Sequence, residues 1–116
     1  MTEIRATGKV TTIDKSRESI RYTVEGTVGK YGYVHFTHQL EPTHGKRDQG
    51  SMQGYGRTYL EDGRSVEGDL QGVWRRTGSP YKVYSLDDGS NGDINFVDID
   101  VDLVSKEVSL SLTHLA

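Results

Sequence analysis

The chain predicts an all-β domain: a closed antiparallel β-barrel of about eight strands, with a β-sandwich as the alternative. Three observations carry that prediction. Apolar and polar residues alternate with period 2 along nearly the whole chain, as in half-buried antiparallel strands. The alternating runs are separated by short segments with turn chemistry, too short for crossover helices. One face of two adjacent runs omits side chains repeatedly: Val66, Gly68, Leu70, Gly72 and Trp74 in one, Met52, Gly54, Gly56, Thr58 and Leu60 in the other. A glycine-rich inner face eases the bending that closure requires, brings another backbone close, or leaves room for a ligand. The residues alone leave all three open.

The elements follow in order, over roughly 3–13, 18–28, 31–41, 51–60, 64–77, 81–87, 93–104 and 107–115. In the second, Ile20, Tyr22, Val24 and Val28 alternate with Arg21, Thr23, Glu25 and Thr27, and Gly29 makes a turn. In the third, Val34, Phe36, His38 and Leu40 share one face, with Tyr31, Tyr33, His35, Thr37 and Gln39 on the other. The loop from Pro42 to Gly50 is the longest, polar and charged, and is placed to cover a barrel mouth. The fourth and fifth strands carry the glycine faces and meet at the Glu61-Asp62-Gly63 turn. Pro80 sits at the edge of the sixth, where a missing donor does little harm. In the seventh, Val97, Ile99, Val101 and Leu103 alternate with Asp98, Asp100 and Asp102. The apolar phase slips between Phe96 and Val97, so a β-bulge is expected there. In the eighth, Val108, Leu110 and Leu112 alternate with Glu107, Ser109, Ser111 and Thr113. No window shows a helical stripe.

Composition bounds the function. The 116 residues fit a single domain, 1–116, lean in bulky side chains. The absence of cysteine excludes disulfides, thiolate metal sites and a cysteine nucleophile. A net charge of −3 without a basic stripe gives no footprint for nucleic acid. No run of about 18 apolar residues is present to span a membrane. The N-terminal stretch Met1-Thr2-Glu3-Ile4-Arg5 lacks the apolar core of a signal peptide, so a cytoplasmic location is expected. No nucleophile elbow and no phosphate-cradling glycine loop occurs, and no cofactor is expected.

In strand count, turn spacing and inward glycines, most of the chain resembles the small calycin-type barrels, especially the compact allene-oxide-cyclase-like ones. The glycine-x-tryptophan element of lipocalins is missing, since the only tryptophan is Trp74. The resemblance implies a small-molecule ligand in the barrel mouth and, in some members, cyclisation or isomerisation of that ligand.

Strand phase selects the candidate site. His38 and Arg76 fall on the inner face and are the catalytic candidates, His38 as a base and Arg76 as the stabiliser of an oxyanion. Tyr22, Met52, Thr58, Leu70, Trp74 and His114 are the ligand-binding candidates for a small, partly apolar molecule. The competing reading puts His38, Arg76 and His114 at strand ends, with their polar tips in water. On the outer face, Tyr31, Tyr33, His35, Tyr55, Arg57 and Tyr59 gather on neighbouring strands. That cluster points to a homodimer or higher homo-oligomer, or to a carbohydrate platform. The segment from Asp87 to Asp98 resembles a calcium loop in spacing. It lacks a ligand at Gly89 and is flanked by strands, so it reads as a polar hairpin with no metal.

Overall fold

The computed structural model describes residues 3–116; Met1 and Thr2, the start of the stretch read above for a leader, lie outside the described residues. Eight strands form one closed barrel: β1 (Glu3–Lys15), β2 (Ile20–Thr27), β3 (Tyr33–Pro42), β4 (Gln49–Tyr59), β5 (Glu67–Arg76), β6 (Tyr81–Gly89), β7 (Ile94–Val101) and β8 (Glu107–His114). Each strand pairs antiparallel with the next, and β8 returns to pair with β1, from Glu3 opposite Thr113 to Lys9 opposite Glu107. The barrel is chosen over the sandwich because closure pairs every strand edge.

Side-chain alternation places an apolar interior behind an exterior that mixes charged residues with exposed tyrosines and a few aliphatic side chains. No helix among the described residues is long and apolar enough to cross a membrane. The links β2–β3, β4–β5 and β6–β7 lie at one end of the barrel, together with both termini. The other four links lie at the opposite end.

That opposite end is filled. Leu40, Met52, Trp74, Tyr81, Val83 and Val101 are buried there. The Trp74 indole Nε1 donates to the Glu41 carbonyl at 3.1 Å, and its ring centroid lies 5.6 Å from that of Tyr81. The Pro42–Gly50 loop is tied to this end by the Arg76 amide, which donates to the Asp48 carbonyl at 2.8 Å. It covers the filled end, not the open one.

Two glycines explain how the walls bend so tightly. A Cβ at Gly72 would lie 1.8 Å from the Tyr84 carbonyl oxygen, and one at Gly54 would lie 2.2 Å from that of Thr37. These positions hold glycine because neighbouring backbone occupies the space.

Two sequence expectations are corrected. The β7 register runs unbroken against β6 and β8, with no bulge between Phe96 and Val97. Asn95, Val97, Ile99 and Val101 point inward in one phase, and Phe96 lies outside opposite Leu86. The phase looked broken only because an inward polar Asn95 stands where an apolar residue was assumed. The barrel's irregularity is in β1 instead, between Val10 and Thr12. Tyr31 is likewise not on the outer face. Gly29 (φ 48°) and Gly32 (φ 69°) flank a short 3-10 turn, Gly29–Tyr31, and the reversal buries the Tyr31 ring.

Candidate functional site

A cavity of about 100 Å³ opens at the end that carries both termini. Its walls are apolar, built by Val34, Phe36, Leu70, Val97, Leu110 and Leu112. The space exists because three strands present no side chain at one level. Gly56 pairs with Gly68, and Gly68 pairs with Gly89, so a row of glycines crosses β4, β5 and β6. Gly68 differs in kind from Gly72 on the same face. A Cβ there would meet only the Leu70 side chain at 3.6 Å and the Asp88 carbonyl at 3.8 Å.

His38 borders the cavity and is fully buried. Its Nδ1 lies 2.8 Å from the hydroxyl of Tyr22, itself fully buried. The Tyr22 hydroxyl has no other acceptor among the described residues, so it donates to Nδ1 and the imidazole proton is assigned to Nε2. Among the described residues Nε2 has no hydrogen-bond partner. Burial alone pushes the imidazole pKa down to about 3, so His38 is neutral at physiological pH. Burial also pushes the Tyr22 hydroxyl up, which keeps it protonated as a donor. The Phe36 ring packs against the imidazole at a centroid distance of 4.8 Å.

Asp87 stands on the wall, between Leu70 of β5 and Asn95 of β7 in register. Its Oδ1 accepts from the Ser85 hydroxyl at 2.5 Å, and no cation pairs with it among the described residues. Burial raises its carboxyl to about 6, although the Ser85 bond pulls the other way. At the rim, the Tyr31 hydroxyl donates to Asp93 at 2.5 Å and accepts from the Asn95 amide at 2.9 Å. The Tyr31 hydrogen bond, first, and then those of Asn91 and Lys30 hold the Asp93 carboxyl below the usual range.

Among the residues selected from sequence, His38, Thr58 and Leu70 border this cavity. Tyr22 stands behind His38, outside the lining. Met52 and Trp74 belong to the filled end. His114 is exposed at the rim, its Nδ1 3.1 Å from Asn95 Oδ1. Arg76 is exposed at the filled end, donating to the Gly78 carbonyl and lying over the Tyr81 ring. The fold therefore does not bring His38 and Arg76 together. The Asp87–Asp98 segment is a hairpin, closed by the Gly89 amide donating to the Asp93 carbonyl. Its terminal carboxylates face opposite sides of the sheet, Asp87 inward and Asp98 outward onto Lys82.

No protein-family model, curated protein or solved structure matches the chain.

Sequence reasoning missed Asp87, Ser85, Asn95 and Tyr31. A signal for the first two was present, since Tyr81, Val83, Ser85 and Asp87 share one strand phase. The calcium-loop spacing drew Asp87 into the turn instead. Asn95 is two residues from Val97 and carried the same signal. Tyr31 had none, because its inward turn depends on the two flanking positive-φ glycines.

Proposed function

We propose that this barrel binds a small, partly apolar organic molecule at its open end. The observation that carries the reading is the apolar cavity with His38 on its lining, a buried histidine whose Nε2, assigned above as the protonated nitrogen, has no partner among the described residues. A buried donor without an acceptor costs about 1–3 kcal/mol. A ligand carbonyl, ether or hydroxyl oxygen would remove that cost. The cavity is smaller than the roughly 150 Å³ apolar cavity that admits benzene. The ligand therefore inserts a group about the size of an isobutyl chain and leaves the rest in the mouth. Binding at the mouth is what the resemblance to calycin-type and allene-oxide-cyclase-like barrels implies, and that likeness is one of architecture. Cyclisation or isomerisation would need an oxyanion partner beside His38 other than Arg76, which stands at the far end.

The test is a titration of ¹⁵N-labelled protein with isobutanol, followed by amide chemical shifts. Shifts centred on Phe36, His38, Leu70 and Leu110, and lost in Gly68→Leu, are expected. Shifts confined to the outer face, or equal shifts in Gly68→Leu, would overturn the reading.

A second reading rests on a separate observation. Tyr33 opposes Tyr59 and His35 opposes Arg57 across β3 and β4, and the His35 and Tyr59 rings stack at 5.2 Å on the outside. Tyr33, Tyr55 and Tyr59 are each more than two-fifths exposed, which fits a surface through which copies of the chain associate.

A further inference from the structure

Resting on the cavity reading above, we infer that the molecule the barrel takes is a small organic cation, an amine whose ammonium group meets Asp87 while its apolar body enters between Phe36, Leu70 and Leu110.

The charge inventory of the cavity leads there. Three carboxylates line it, Glu67, Asp87 and Asp93, against one guanidinium, Arg57. Two of the three are already served. Arg57 pairs with Glu67 at 2.5 Å and Lys30 pairs with Asp93 at 3.3 Å, both at the outer rim. Asp87 is left over, and it is the one set furthest from water. What faces it from the packed elements carries no charge: Leu70 on β5, Asn95 on β7 and Ser85 on its own strand. The remaining titratable groups on the lining carry no charge there: burial holds the His38 imidazole neutral and pushes the Tyr31 hydroxyl up. Ser85 supplies one hydrogen bond to Oδ1, and Oδ2 has no partner among the described residues.

A half-buried carboxylate with a free oxygen in an apolar recess is costly unless a cation joins it. Its raised pKa of about 6 expresses that cost, and it leaves the group mostly ionised at pH 7.5. An ammonium ion is the complementary head group, because it is a compact charge that donates several charge-assisted hydrogen bonds. The unpartnered His38 Nε2–H adds a second requirement. Assigned as a donor, it offers a second ammonium no acceptor, so a monoamine fits better than a diamine.

Three isobutyl compounds separate the possibilities: isobutylamine, isobutanol and isovalerate, titrated into the labelled protein at pH 7.5 and again at pH 5. The amine is expected to bind on the order of tenfold more tightly than the alcohol at pH 7.5, the usual scale for gaining one charge-assisted hydrogen bond. Isovalerate should be weakest. The preference should shrink at pH 5, where Asp87 takes up a proton, and vanish at both pH values in Asp87→Asn. Asp87→Asn keeps the Ser85 bond and removes an unpaired charge, so the variant is expected to fold. If isobutanol moves the cavity resonances but the amine gains nothing over it, or if the Asp87→Asn protein keeps the preference, the cation inference fails and the cavity reading survives. If none of the three moves those resonances, the cavity reading itself is overturned and the cation inference falls with it.

Discussion

Gly68 and Gly72 sit four residues apart on the inner face of β5, yet they are glycines for different reasons. At Gly72 a Cβ would press into the Tyr84 backbone, which has nowhere to go. Gly72→Ala is therefore expected to destabilise the chain by about 3 kcal/mol or more, read from urea denaturation. At Gly68 a Cβ meets only ordinary van der Waals contact, at a φ any residue adopts. Gly68→Ala should change stability by no more than about 0.5 kcal/mol. Equal losses at the two positions would show that Gly68 also serves backbone geometry. His38 and Asp87 make a second pair. His38 binds its proton near pH 3 in the folded state, against 6.5 for a free imidazole. Its contribution to stability is complete above about pH 6.5 and is lost as the pH falls towards 3, at up to about 1.4 kcal/mol per unit. Asp87 has the opposite sign. Its folded pKa of about 6 exceeds the free value of 3.8, so between those values acidification favours the folded state. The two slopes oppose each other between about pH 4 and pH 6. In Asp87→Asn the His38 slope stands alone, and stability should fall more steeply over that interval than in the parent chain. Parallel pH profiles of the two proteins would contradict the assignment of these shifts.

At the scale of elements, the rim shows how loops and strands are joined. The Gly29–Tyr31 turn reaches the β6–β7 hairpin through the Lys30–Asp93 pair and through the Tyr31 hydroxyl, which donates to Asp93 and accepts from Asn95; Asn95 in turn meets His114 of β8. Tyr31→Phe deletes both bonds while keeping the ring. It is expected to cost about 1–2 kcal/mol and to speed hydrogen exchange at the Tyr31 and Gly32 amides. Unchanged exchange would mean that the ring and the Lys30–Asp93 pair hold the turn without the hydroxyl. The strands themselves were legible. Period-2 alternation placed all eight within a few residues, and it set the correct face for His38, Thr58, Leu70 and Trp74. It failed where a polar residue faces inward beside an apolar one facing out, as at Asn95 and Phe96. Hydrophobicity reports the face only when the interior is apolar, and the rim of a cavity is not.

At the scale of the molecule, closure uses both sheet edges and so removes strand addition as a route to association. On the proposed association through the tyrosine face, Tyr33→Ser combined with Tyr55→Ser is expected to turn an oligomer into a monomer in sedimentation velocity. Persistence of the larger species would exclude the tyrosine face. A second exposed apolar group, Val73 with Tyr84 and Leu86 with Phe96, lies across β5, β6 and β7 and would then be the surface to vary.

By itself the sequence determined the class, the strand count and the inward phase of most side chains. Those follow from local alternation and turn chemistry, which neighbouring residues carry between them. Only the tertiary structure decided which end of the barrel is hollow. That outcome depends on register between strands: it aligns Gly56, Gly68 and Gly89 into one row, and it stacks Leu40, Met52 and Trp74 into the filled end. Register also sets His38 and Asp87 on the lining of one cavity while leaving Arg76 at the other end. Shared strand phase says that side chains face the same interior, and it says nothing of their height along the barrel axis.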